Sequence, residues 1–123
     1  MGRPTVGSAA VRLGIEGKRA AVAAGSAGLG KASAAALLAE GVSVAVCGRD
    51  KVRVEAAAAE LRGDVTPIVA DVSTPEGATG FVDAAADALG SIDILVTNAG
   101  GPPPGTFATT DLDQYAPAVA LNL

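Results

Sequence analysis

Residues 23–33 read AAGSAGLGKAS, and the fold turns on what this glycine-rich stretch joins. Gly25, Gly30 and Lys31 stand almost as a phosphate-binding P-loop requires, with Ala32 in place of the hydroxyl that would hold magnesium. Ser33 lies a further 100° or so round a helix, out of register for that task. Asp71, after an apolar run, imitates the second magnesium ligand of such a site. A second reading asks for less. Gly25, Gly28 and Gly30 would let the chain turn sharply and bring a helix N-terminus against a pyrophosphate. The spacing is not G-x-G-x-x-G, so the loop alone also fits a plain strand–helix turn.

The flanks favour a strand before the loop and a helix after it. KRAAVAA (18–24) is a short apolar run of the kind that forms a buried strand, and LGKASAAALLAEG (29–41) has helical spacing and stops at Gly41. The same unit then repeats. VSVAVCG (42–48) reads as a strand. DKVRVEAAAAELRG (50–63) reads as a helix capped by Asp50 and ended by Gly63. VTPIVADV (65–72) is a third strand, and residues 74–90 a helix with Thr74 as cap, Pro75 in its first turn and Gly90 as its stop. IDILVTNAGG (92–101) is a fourth strand running into a loop, and TTDLDQYAPAVALNL begins another helix. Continuous apolar strands alternating with helices imply a doubly wound α/β fold, a Rossmann-type parallel sheet with helices on both faces. Residues 1–14 carry no period and are expected to be a flexible lead-in to a single domain over 15–123.

Composition excludes several functions. The chain has 123 residues, half of them hydrophobic but only 2% aromatic, so its core must be built from small side chains. It has no histidine, which removes histidine triads and histidine metal sites, and no C-x-x-C pair. Its one cysteine, Cys47, sits in an apolar run and reads as a buried thiol, not a nucleophile. The net charge of -4 is uneven: residues 1–62 hold all nine Lys and Arg against five Asp and Glu, while residues 63–123 hold eight acids and no base. A basic face interleaved with aromatics is missing, which argues against nucleic acid. No signal-peptide pattern or membrane-length apolar run occurs, so a cytoplasmic protein without a membrane partner is expected.

Several motifs together resemble the short-chain dehydrogenase/reductase family, and within it the 3-oxoacyl-acyl-carrier-protein reductases. AAGSAGLG (23–30) aligns with T-G-x-x-x-G-I-G when anchored on Gly28, Leu29 and Gly30; ADV (70–72), NAGG (98–101) and LNL (121–123) follow in the family's order and spacing. The resemblance implies hydride transfer between a nicotinamide and a carbonyl or alcohol carbon of a small molecule, and a homo-oligomer for the full-length fold. It assigns the pyrophosphate turn to Gly25, Ser26, Gly28, Leu29 and Gly30. Asp71 and Val72 would meet the adenine, and Asn98, Ala99 and Gly100 the cofactor ribose, with Asn98 tying the fourth strand to its neighbour. Ala23 and Ala24 replace the motif's Thr and first Gly, which the turn tolerates if Ala24 keeps a negative φ. Ala27 stands where many NADPH-dependent members have a basic residue.

Cofactor choice falls on CGRD (47–50). Gly48 occupies the position of the acidic residue that would accept bonds from a ribose 2′-OH, and Arg49 follows it. A guanidinium suits a 2′-phosphate, so NADP(H) is expected ahead of NAD(H), with Ser26 adding a bond. The competing reading of Arg49 is a solvated charge paired with Asp50. Lys31 reads as a helix-surface residue, and Asp71 alternatively as a turn cap before STPEG.

The resemblance gives the reaction to a serine and a Y-x-x-x-K pair. Tyr115 is the only tyrosine, and Val119 stands four residues on, so neither the pair nor its chemistry lies in these residues. Of the family's catalytic groups only Asn122, the proton-relay residue, is matched. The helical pattern runs uncapped to Leu123, which reads as the front half of a longer fold. Two functions follow: the cofactor half of an NADP-dependent reductase, or an inactive fragment that binds nucleotide weakly or self-associates through an open sheet edge.

Overall fold

The computed structural model describes residues 13–99 and Asp113. Gly100, Tyr115, Asn122 and the helix expected after residue 108 lie outside the described residues. Among the described residues four strands and three α-helices alternate: β1 (Arg19–Val22), α1 (Gly28–Ala39), β2 (Ser43–Gly48), α2 (Lys51–Glu60), β3 (Val65–Val69), α3 (Pro75–Leu89) and β4 (Ile94–Val96). All pairings are parallel, in the order β3-β2-β1-β4.

The alternation of side chains across the sheet builds two cores. Ala20, Val22, Val44 and Val46 point to one face, where Ala34 and Leu38 of α1 and Val54 of α2 pack on them. Ala21, Ala23, Ala45 and Cys47 point to the other, against Phe81 and Ala85 of α3. The period of two in the strands and the helical spacing of Ala34 and Leu38 therefore meet in one layered arrangement. Alanines on the second face leave room for Phe81, the largest fully buried side chain among the described residues. β1 and β2 are buried as their apolar runs require. β3 and β4 lie at the margins of the described sheet, with Val69 and Leu95 each about half exposed.

Several element boundaries differ from the sequence reading: β1 ends at Val22 and not at Ala24, β3 ends at Val69 and not at Val72, and two further ends have a visible cause. α2 ends at Glu60 and not at Gly63, because Leu61 adopts an extended backbone (φ -76, ψ 142) and packs against the first core. β4 spans only Ile94–Val96. Its start is set by Asp93, whose N–H donates to the Arg19 carbonyl at 2.8 Å while its carboxylate accepts from the Arg19 N–H at 2.9 Å. Its last ladder bond runs from the Ala23 N–H to the Val96 carbonyl, 3.0 Å.

The strand order positions the site. The chain steps outward from β1 to β2 to β3, then returns across the sheet to lay β4 on the other side of β1. The path thus reverses between β1 and β4, and such a switch point leaves a crevice beyond the C-terminal strand ends. The glycine turn after β1 lies there.

Candidate functional site

β1 gives way to α1 through residues 23–27, and hydrogen bonds from two other strand ends hold this turn in place. The Gly25 N–H donates to the Cys47 carbonyl at 2.9 Å, and the Ala24 N–H to the Cys47 sulfur at 3.4 Å. The Asn98 amide, just past β4, donates to the Ala24 carbonyl at 3.4 Å. Burial pushes the Cys47 thiol up from its ordinary pKa; the bond from Ala24 opposes this and the Asp71 charge adds to it. The thiol is thus protonated at neutral pH.

Ala24 has φ +50, in the left-handed region. The negative φ expected for an alanine at this motif position is not kept. The bonds to Cys47 and Asn98 hold the backbone where a glycine would rest without strain, at a cost of about 1 kcal/mol. Gly28 is also left-handed (φ +57), and a Cβ built on it would meet nothing within 4 Å, so its backbone is open to approach from outside. Gly30 is the opposite case. A Cβ there would run into the Ala24 carbonyl oxygen and lie 2.8 Å from the Asn98 amide nitrogen.

A groove of about 710 Å³ opens beyond the turn. Ser26, Gly28 and Leu29 form one wall, Arg49 a second, Asp71 and Val72 a third, and Asn98 with Ala99 a fourth. Gly25 and Gly30 do not line it; they stand behind the wall, where Gly25 backs onto Val46 and Gly30 onto Ala24. Gly100 and Asn122 lie outside the described residues. Asp50, Arg53 and Ser73 also line the groove, and the sequence reading gave none of them a place there. Arg53 carries a sequence signal in hindsight: it lies one turn into the helix whose cap follows Arg49.

The P-loop reading fails on geometry. Lys31 turns from the groove to α2, where its ammonium sits 2.7 Å from Glu60. The Ser33 hydroxyl donates to the Leu29 carbonyl within its own helix, 2.8 Å.

The three helix N-termini differ. Asp50 caps α2 by accepting from the Arg53 N–H at 3.1 Å, and Thr74 caps α3 by accepting from the Gly77 N–H at 3.0 Å. Ala27 has no side chain able to cap α1, and no acidic residue stands in its first turn. Of the helix ends that border the groove, the start of α1 is the one without a side-chain cap, which leaves its N–H groups available to an anion.

Charge on the β2 and β3 walls is as distinctive. Gly48 is buried, and a Cβ added to it would lie 3.1 Å from the Ser26 hydroxyl and 3.3 Å from the Val54 Cβ. A side chain at this position would press on Ser26 and α2, which would have to give by a few tenths of an ångström. The Arg49 guanidinium makes no hydrogen bond or ion pair among the described residues; Asp50 is spent on the helix cap instead. Asp71 holds both the Ser73 hydroxyl (2.6 Å) and the Ser73 N–H (3.0 Å) on Oδ1. The hydroxyl bond most of all, then the N–H bond, hold the Asp71 carboxyl below its ordinary pKa against a small opposing effect of burial, and the Arg49 charge helps. The turn-capping role is therefore real, yet it engages one oxygen; Oδ2 accepts no hydrogen bond among the described residues.

Comparison with known proteins agrees with this geometry. Residues 18–123 match the family model described as short chain dehydrogenase. The short chain dehydrogenase/reductase dpchG of Colletotrichum higginsianum is 38% identical over 89 residues, which cover 70% of this chain and 33% of that protein. A short chain dehydrogenase from Burkholderia cenocepacia, solved in complex with NADP, is 34% identical with a TM-score of 0.75, over 89% of this chain and 46% of that one. The 3-ketoacyl-(acyl-carrier-protein) reductase of Brucella melitensis, solved with NADH, is 27% identical with a TM-score of 0.76, over 89% and 45%. The chain thus spans from a third to under half the length of these relatives. The match, the parallel sheet and the glycine turn at its switch point concur: this chain belongs to the short-chain dehydrogenase family.

Proposed function

We propose that the groove binds NADP(H) and that the chain supplies the dinucleotide-binding half of an oxidoreductase acting on a carbonyl or alcohol carbon of a small molecule. The observation that carries the choice of NADP(H) over NAD(H) is the pairing of Gly48, which presents no carboxylate, with an Arg49 that lines the groove and makes no hydrogen bond or ion pair among the described residues. A 2′-phosphate gives Arg49 an anionic acceptor that can take paired bonds, whereas a 2′-OH offers it only a neutral one.

The other residues fit the same ligand. The uncapped start of α1, at Gly28 and Leu29, offers backbone N–H groups to a pyrophosphate, and the open space beside Gly28 admits it. Ser26 adds a hydroxyl beside the 2′ position. Asp71 Oδ2 is an acceptor for the adenine amino group, with Val72 beside it. Asn98 and Ala99, followed by Gly100, face the ribose side, and Asn98 also pins the turn. Gly25 and Gly30 act by letting the turn pack. Asn122 would relay a proton during turnover. Bound NADP(H) supplies the hydride chemistry; the residues described hold and orient it. The family is the support for a homo-oligomeric, cytoplasmic full-length enzyme; among the described residues no helix is long and apolar enough to cross a membrane.

Titration calorimetry with NADPH and NADH, on the chain and on Arg49→Ala, tests this reading. NADPH should bind more tightly, and the substitution should weaken NADPH about tenfold while changing NADH little. Equal binding of both cofactors, unaltered by Arg49→Ala, would refute the NADP(H) assignment.

A further inference from the structure

Among the described residues β3 is an outer strand of the sheet, with β2 on one side and no strand on the other. Its sequence is VTPIV: four residues are β-branched and none is charged. A segment of that kind at a sheet edge is a ready template for a further strand. Its one irregularity is Pro67, and the ladder shows which way that residue faces. The Val44 N–H donates to the Asp64 carbonyl at 2.8 Å, and the Ala70 N–H donates to the Gly48 carbonyl at 3.0 Å, with Val46 opposite Pro67 between them. Residues that bond to the neighbour alternate along a parallel strand. Residues 64, 66, 68 and 70 therefore turn their backbone groups to β2, and Val65, Pro67 and Val69 turn theirs outward. Pro67 costs the ladder to β2 no bond, because the N–H it lacks would point away from β2.

We infer that Pro67 closes the outer edge of β3 to a second copy of this chain. Two copies meeting at this edge are related by a two-fold axis, which makes their β3 strands antiparallel. The outward-facing residues are symmetric about position 67. The fullest register therefore sets residue 67 of one copy against residue 67 of the other, with Val65 against Val69 on either side. An amide at 67 would give the central bonds of that ladder, one from each copy. Proline gives neither, and the two rings crowd the approach. Shifted registers pair fewer residues and still lose the bonds from residue 67. With no charge in the strand, Pro67 holds the place that a lysine holds at other exposed edges. Val65, Pro67 and Val69 do not line the groove, so closure of this edge stands whether or not the groove takes NADP(H).

The test is sedimentation of the 123-residue chain over a range of concentrations, together with amide hydrogen exchange at Val65 and Val69. Wild type is compared with Pro67→Thr and with the double variant Pro67→Thr/Val69→Lys, each checked for folding by circular dichroism. Threonine restores the N–H and suits a strand. Pro67→Thr should double the sedimenting mass as concentration rises, relative to wild type, and slow exchange at both amides about tenfold. Val69 is 53% exposed on the same edge, and lysine there should return both readings to those of wild type. Pro67→Thr that sediments and exchanges as wild type does would overturn the role of Pro67. A gain in mass that Val69→Lys does not reverse, or that leaves the two amides exchanging fast, would overturn it too, since the copies would then meet through another surface. Slow exchange at Val65 and Val69 already in wild type would mean that the edge is occupied despite Pro67, and would equally overturn it.

Discussion

Ala24 is the residue on which the turn is strained. Its φ of +50 belongs to glycine, and it is held there by bonds to Cys47 and Asn98, residues 23 and 74 positions away. Replacing Ala24 with glycine should therefore stabilise the chain, by about 1 kcal/mol less the added freedom of the unfolded chain, as a higher urea midpoint. A lower midpoint would mean that the methyl packs usefully despite the strain. Asp71 offers a second prediction. Its pKa is lowered on folding, so its contribution to stability is present above the ordinary aspartate value of 3.8 and is lost as pH falls through the lowered one. Ser73→Ala removes the largest cause. The gap in stability between wild type and variant should be full at neutral pH and close on acidification below that value, as followed by denaturation at a series of pH values. Legibility at this scale was uneven. Gly28 was readable because glycines between an apolar run and a helical pattern have few other uses. The left-handed Ala24 was not, because its cause is long-range bonding. Arg53 was missed because an arginine on a helix ordinarily reads as a solvated charge; only the position of α2 at the end of β2 turns it to the groove.

At the scale of the elements, the period of two in β1 and β2 and the caps at Asp50 and Thr74 were written plainly in the chain. The ends that packing decides were not: Leu61 leaves α2 early to reach the core, and the Asp93–Arg19 bonds set where β4 begins. The same distinction separates α1 from a magnesium-holding P-loop. Lys31 joins α1 to α2 through Glu60, with side chains 30% and 66% exposed, so the bridge is weakly stabilising. Lys31→Ala should cost under about 1 kcal/mol in thermal or urea denaturation and leave NADPH affinity nearly unchanged. A large loss of affinity would place Lys31 on a phosphate after all.

For the molecule as a whole, the order β3-β2-β1-β4 explains why one groove gathers residues from four separated stretches of sequence. Each strand ends at the same edge of the sheet, and the reversal between β1 and β4 leaves that edge open where the uncapped helix begins. Alternating strands and helices made the doubly wound class readable from the sequence; the way Gly48, Ser26 and α2 share one space required three dimensions. The most direct test is a map of backbone amide shifts by NMR as NADPH is added to the chain. The largest shifts are expected at Ser26, Gly28, Leu29, Arg49, Asp71, Val72 and Ala99, with Lys31 and Glu60 unmoved. Shifts centred elsewhere on the surface, or none at saturating NADPH, would contradict binding in the groove.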